Sequence, residues 1–331
     1  MSLRRILRQI SSVLLLLTIW FLWPAELDGY SLGRDGRASV PDYAMTNARY
    51  VSVKSGRLEV ETRIKEAAFN LQTHKMDAKH VVALLYNSSD QRTIVTADRG
   101  TFLMNERELH LQDNVNTLSP DGFLMRGPVV NYNIGKRLIT APQPVEGETF
   151  EKEVLVWGDR AESPIDENKI HLIGNARSLF TERKRGITKI RGDSAVMDRT
   201  ESKVTFQNHV KVEQEKVVGT SESADLFYSS AEKNVRYMSL NNDVKIVEGK
   251  GRYTRSQVAE FFAPTDTIVL TGFPAVYDGD DAVTGDKITL YRATGVVEVM
   301  ATNAAATQQQ RLDGKKTPAP LTKEDEELIP E

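Results

Sequence analysis

The sequence predicts an all-β fold, an elongated antiparallel sheet of stacked hairpins. Three observations carry this. Between residues 41 and 303, short runs such as GRLEVETRI, NKIHLIG, KVTFQN, DTIVLTG and DKITLY alternate apolar with polar residues, the mark of half-buried strands. Almost no helical period appears in that span. The runs also recur. Anchored on a residue read as closing each hairpin, Val115, Val145, Ala176, Val210, Val244 and Val276 align at intervals of 30 to 34 residues. Four units keep the same apolar offsets before the anchor: Leu109/Leu111, Ile170/Leu172, Val204/Phe206 and Met238/Leu240. Even spacing turns each set to one face of the sheet. A small residue with an acid precedes several units, as in Ala97-Asp98, Gly192-Asp193 and Ala224-Asp225. One hairpin cannot bury its apolar face alone, whereas stacked hairpins can.

The elements follow in order. Arg4, Arg5 and Arg8 precede Gln9–Ala25, a stretch without charge that ends near Trp20 and Trp23. A bilayer needs roughly 20 apolar residues, so this segment is a short transmembrane helix. Its arginines place residues 1–8 in the cytoplasm and the bulk of the chain outside it, in the periplasm of an inner-membrane, single-pass protein. A cleaved signal peptide is the rival reading. Trp23-Pro24-Ala25 is a poor cleavage site, however, and Ser31-Leu32-Gly33 lies far downstream. Residues 26–40 read as a linker, 41–150 as a first β unit and 151–303 as a second. KEAAFNLQTHKMDAKHVVALLY is the one segment that resembles a helix. We read it as two strands, around Ala68–Gln72 and Val81–Tyr86, with a turn at His74–Asp77. Residues 304–331, ending KKTPAPLTKEDEELIPE, form a polar tail expected to be disordered.

Composition excludes several function classes. A hydrophobic content of 40% supports a folded chain, and a net charge of −3 argues against a nucleic-acid partner. The absence of cysteine removes disulfides, thiolate metal sites and a cysteine nucleophile. No nucleophile elbow and no phosphate-binding Walker loop is present, so we expect no enzyme and no cofactor. His74, His80, His110, His171 and His209 sit at no metal-ligand spacing. His110 and His171 fall between inward positions and should face outward. DGDDAVTG, with Asp280-Asp281, reads as a plain turn rather than a calcium loop, and Asn87-Ser88-Ser89 is a glycosylation sequon too common to carry weight.

Pro41-Asp42-Tyr43, Ala97-Asp98-Arg99-Gly100, the run Leu109 to Val115 and Pro144-Val145 occur in an order that resembles the LptC family of lipopolysaccharide-export proteins, over about residues 5–150. A threonine expected shortly before Tyr132 is replaced by Arg126 or Gly127. Residues 155–303, with Gly192–Ala195 and Asn208–Val212, resemble an LptA/OstA-type bridge domain. The resemblance implies two consecutive β-jellyrolls whose apolar interior carries the acyl chains of lipopolysaccharide. It also implies an inner-membrane ABC transporter as energy source, since the chain has no ATPase loop, and a further jellyroll bridge protein joined by strand addition near Lys287–Met300.

Lipid carriage needs an apolar trough with polar flanks. Each buried methylene is worth roughly 0.8 kcal/mol, so an acyl chain of a dozen gains about 10 kcal/mol. A single pocket of that strength would trap the lipid; a row of similar units lets it move. The candidate trough residues are Phe69, Leu71, Leu84, Phe102, Leu109, Leu111 and Tyr132 in the first unit. In the second they are Ile170, Leu172, Val204, Phe206, Met238, Leu240, Ile268 and Leu270. The same residues also suit a structural β-solenoid with a filled core and no cargo. Lys136, Arg137, Arg183, Lys184 and Arg185 are cations that could meet lipid phosphates at a rim, although ERKRG also suits a solvated turn.

Overall fold

The computed structural model describes residues 41–149, 154–182, 186–229, 234–249, 251–279 and 281–301. The expected cytoplasmic residues, anchor, linker and tail lie outside the described residues. Among the described residues no helix is long and apolar enough to cross a membrane.

The chain folds as one antiparallel meander. Six strands lead: β1 (Tyr43–Lys54), β2 (Arg57–Asn70), β3 (Lys75–Tyr86), β4 (Arg92–Leu103), β5 (Glu108–Leu118) and β6 (Leu124–Asn133), each paired with the next. The ladder then splits. The second half of β6 pairs with β7 (Leu138–Ala141) and its first half with β8 (Val145–Glu148). β8 pairs with β9 (Val154–Gly158), and β7 with β10 (Arg160–Pro164). Both rejoin on the single strand β11 (Lys169–Glu182). Pairing therefore runs unbroken across the expected boundary near residue 150.

Long strands follow: β12 (Gly186–Asp198), β13 (Lys203–Gln214), β14 (Val217–Ser229), β15 (Asn234–Glu248) and β16 (Arg252–Phe262). A second split closes the fold. β17 (Thr267–Thr271) and β18 (Ala275–Asp278) share β16, β19 (Asp281–Thr284) pairs with β18, and β20 (Lys287–Tyr291) with β17. β21 (Val296–Met300) pairs with β20 and forms the last edge.

The repeat has a physical cause that differs from a hairpin end. Four of the six anchor residues sit in mid-strand, just after two residues in the left-handed region. These are Asp113 and Asn114 (φ 62° and 49°) before Val115, Gly174 and Asn175 (79° and 46°) before Ala176, Asn208 and His209 (59° and 49°) before Val210, and Asn242 and Asp243 (65° and 46°) before Val244. Asn, Asp and Gly tolerate positive φ at the least cost. The ladder register shifts at each of these points, between Gln112 and Val115 and between Asn241 and Val244 for example. Such bulges bend strands. Each sets three residues against two on the neighbouring strand, so inward side chains keep even spacing on the bulged strand, Leu111 to Val115 for example, and step by three on its neighbour, Ala97 to Gly100.

The small-plus-acid pairs explain themselves here. Asp98 accepts a hydrogen bond from Asn114 at 2.6 Å, Asp159 from Asn175 at 2.6 Å, and Asp193 lies 2.8 Å from the His209 ring. Asp98 and Asp193 thus each hold the bulge of a neighbouring strand, whereas Asp225 accepts from the Thr205 hydroxyl at 2.7 Å and meets Lys203 at 3.1 Å.

The turn after β2 falls earlier than His74–Asp77. It spans residues 71–74, with the Asn70 side chain accepting from the Thr73 amide at 2.9 Å and His74 at φ 51°. Lys75 and Asp77 belong to β3. The buried apolar side chains form one cluster that reaches from Val60 to Leu290.

Candidate functional site

Two cross-strand rows line the interior. In the first part of the chain Phe69, Met76, Phe102, Leu109, Tyr132 and Ile139 are successive partners. In the second part the row reads Ile170, Met197, Val204, Leu226, Met238, Phe261, Ile268, Leu290. A parallel row alternates large and small side chains: Leu172, Ala195, Phe206, Ala224, Leu240, Ala259, Leu270, Ile288. Such alternation lets side chains from facing layers interdigitate. The pairs Ala141–Ala161 and Ala161–Leu172 carry the second row back toward Val130, Leu111, Gly100, Ala78 and Ala67.

Most of the residues expected to line a trough lie on these rows. Phe102, Leu109, Leu111, Tyr132, Ile170, Leu172, Val204, Phe206, Leu240, Ile268 and Leu270 are buried in the core. Phe69 and Met238 are half-buried and pack against it. Two residues do not fit. Leu71 stands in the turn after β2 and is 47% exposed, because the strand ends at Asn70. Leu84 is buried but on the other face of β3. Its neighbours Ala83 and Leu85 join the core while Leu84 pairs with Glu61 and Ile94, because inward positions step by three residues from Ala78 to Val81 at the corner where His80 takes φ 52°. The intervening members Met197, Leu226, Phe261 and Leu290 were not singled out from sequence, since the repeat alignment sampled every second strand.

The interior is filled by these side chains. Apolar cavities within it measure about 40 Å³, beside Met238, Leu240 and Phe261, and about 20 Å³, beside Phe123, Met125 and Ile170. A cavity of roughly 150 Å³ is needed to hold even benzene. An acyl chain therefore requires the two halves of the folded sheet to part.

The line where they would part is a polar seam. Here turns at one end of the strands meet turns at the other end, repeatedly 78 residues apart. Asp166 accepts from the Ser88 amide at 2.8 Å. Arg137 donates to Asp166 at 2.5 and 2.9 Å and to the Tyr86 carbonyl at 2.9 Å, and lies 3.5 Å from Glu59. Arg107 also reaches the buried Glu59 carboxylate, at 3.0 Å. Further along, Arg199 donates to Asp121 at 2.6 Å. Arg292 bridges Gln214 at 3.5 Å and Asp266 at 3.4 Å, over the Phe261 ring at 5.8 Å.

Aromatic residues lie beneath these clasps. Tyr132 interacts with the Arg137, Glu59, Asp166 and Arg107 charges, and Tyr228 with Asp121 and Arg199. Burial pushes both phenols up to about 12, and the Tyr132 hydroxyl has no hydrogen-bond partner. The Arg137 hydrogen bond, opposed by burial and aided by the Ser88 amide, holds the Asp166 carboxyl below its ordinary value.

Of the expected rim cations, Arg137 sits in this seam, the Lys136 amide caps a turn on Asn133, and Arg183, Lys184 and Arg185 lie outside the described residues. His110 faces away from the core and meets the Asn131 amide oxygen at 2.9 Å; His171 lies on the same outward face, between Ile170 and Leu172. Asp280 of the Gly-rich loop is outside the described residues, and no metal-ligand cluster is present among those described.

Two family models match the chain. One, described as lipopolysaccharide-assembly, LptC-related, covers residues 12–179, just over half of the 331 residues. The other, the LptA/(LptD N-terminal domain) LPS transport protein model, covers residues 189–296. Among solved structures, the chain is similar to LptH, the LptA homologous periplasmic component of the lipopolysaccharide transport device of Pseudomonas aeruginosa. That likeness has a TM-score of 0.34 and 15% identity, over 40% of this chain and 93% of that one. No curated protein matches.

Proposed function

We propose, since the chain belongs to the lipopolysaccharide-assembly, LptC-related family, that it is a non-enzymatic carrier of lipopolysaccharide. The acyl chains lie along the two interior rows, and the saccharide stays outside. The observation that supports this most is the continuity of the apolar rows from β2 to β20, through both family matches. A row of equivalent rungs holds a lipid without trapping it. Because the interior is filled, cargo loads by parting the sheets along the Arg137, Arg199 and Arg292 seam.

In this reading Gln9–Ala25 anchors the chain in the inner membrane, and an ABC transporter supplies the energy. The unpaired edges suit partners of the same fold. β1 exposes Tyr43, Met45, Val51 and Val53, and β21 exposes Val296, Val297, Val299 and Met300. Such edges accept strands from other chains. We assign β1 to the transporter side and β21 to a further bridge protein.

Full-length protein extracted from a lipopolysaccharide-producing envelope should retain lipopolysaccharide in near-equal amount, as read by mass spectrometry. Extraction free of acylated lipid would favour the second reading, a filled β-solenoid of structural role, which the small interior cavities support.

A further inference from the structure

The outer face carries a groove that the interior account does not use. It lies where β8, β9, β11, β12 and β13 meet and measures about 560 Å³. Its apolar part is Trp157 and Leu179, both half-buried and both pointing away from the core, since Val156 and Ser178 beside them point inward. Its cationic part is a cross-strand row in which Arg177 pairs with Arg191 and Arg191 with Lys211. Trp157 is the next partner of Arg177.

Like charges placed directly opposite are destabilising, and here three stand in line across about 10 Å of sheet. One carboxylate, Glu213, offsets them in part, acting on Lys211 and also on the Arg191 and Lys189 charges. Lys211 is paired with Glu213 at 2.8 Å, and Asp159 is engaged by Asn175. No ion pair of Arg177 or Arg191 is found among the described residues. With Lys189, the groove holds four cations against Asp159 and Glu213, a local charge of +2 in a chain of net charge −3. A bound anion would remove the repulsion, and guanidinium forks match phosphate oxygens. An indole beside them offers a flat, amphipathic face.

We propose that this groove binds a phosphate-bearing saccharide, with phosphate on Arg177 and Arg191 and the sugar against Trp157. The site is separate from the interior rows, and its ligand needs no acyl chain.

The chain has three tryptophans, so replacing Trp20 and Trp23 by Phe leaves Trp157 as the only indole reporter in the full-length protein. This protein would be titrated with an acyl-free bisphosphorylated disaccharide, with the same disaccharide lacking phosphates, and with inorganic phosphate. The expected result is a saturable change in Trp157 emission with the first ligand. Arg177→Gln and Arg191→Gln should each weaken it about tenfold, with a melting temperature equal to or above that of the parent protein, because both side chains are exposed and each change relieves the like-charge row. Inorganic phosphate should bind at least tenfold more weakly, and the unphosphorylated disaccharide should give no saturable change. No saturable change with the phosphorylated ligand, or binding by either arginine variant as tight as that of the parent protein, would overturn the proposal. Equal binding of the unphosphorylated sugar, or of inorganic phosphate alone, would overturn it as well.

Discussion

Locking the seam tests whether cargo passes through it. The Ser88 amide donates to Asp166 across 78 residues of chain, and the native protein has no cysteine to interfere. Ser88→Cys with Asp166→Cys places one thiol on each side. Closing a 78-residue loop removes about 15 cal/mol/K from the unfolded chain, or about 4.5 kcal/mol at 25 °C. At about 2.1 cal/mol/K per residue, a β region of roughly 260 residues has an unfolding entropy near 550 cal/mol/K. The oxidised double variant should therefore melt about 8 °C above the same protein reduced. Comparing the two redox states of one variant cancels the loss of the Arg137–Asp166 pair. The functional assay is lipopolysaccharide crosslinking to a photoreactive residue at Phe102, below the seam. Oxidation should abolish adducts, and reduction should restore them. Equal adducts in both states, with the 8 °C rise observed, would refute loading through the seam.

Other predictions follow from the same geometry. Phe206 is fully buried between Ala195 and Ala224, which cannot close a void, so Phe206→Ala should cost about 4 kcal/mol in urea unfolding; Leu71→Ala, at an exposed turn, should stay within about 0.5 kcal/mol. Asp166 has a depressed folded-state pKa, so its contribution is present above the unfolded value of about 3.8 and is lost as pH falls through the folded value. The urea midpoint between pH 5 and pH 2 should accordingly fall less steeply in Asp166→Asn than in the native chain, and an identical slope would remove Asp166 from the account. Asn114 holds a left-handed backbone, so Asn114→Val should destabilise by about 1–2 kcal/mol while Asn114→Gly costs less than half of that, both read by thermal unfolding.

The alternation of residues such as Leu109/Leu111 and Val204/Phe206 made strand faces legible, because side-chain period depends only on local backbone geometry. It also made most of the interior legible. Leu84 falls on the other face because the corner at His80 shifts parity, and nothing in AKHVVALLY marks a positive φ at a histidine. The Asn and Asp residues before Val115, Val210 and Val244 do mark such positions, but they also suit hairpin turns, so the corners read as strand ends. The seam was not legible. Glu59 meets Arg137, Asp121 meets Arg199 and Ser88 meets Asp166 through an offset of 78 residues that is set by how the sheet shears and folds over, not by the 30 to 34 residue repeat. Splitting β7 from β8 at Pro142–Pro144 likewise reflects tertiary pairing, and the β11–β12 pairing joins the two family matches into one ladder.

The most direct measurement of the central claim is site-specific photocrosslinking to lipopolysaccharide in intact cells. Photoreactive residues would replace Phe102, Leu111, Phe206 and Leu240 on the inward rows, with His110 and His171 as outward controls. The account predicts adducts at all four inward positions and none at the two controls. No adducts at the inward positions of a folded protein, or adducts as strong at the histidines, would contradict it.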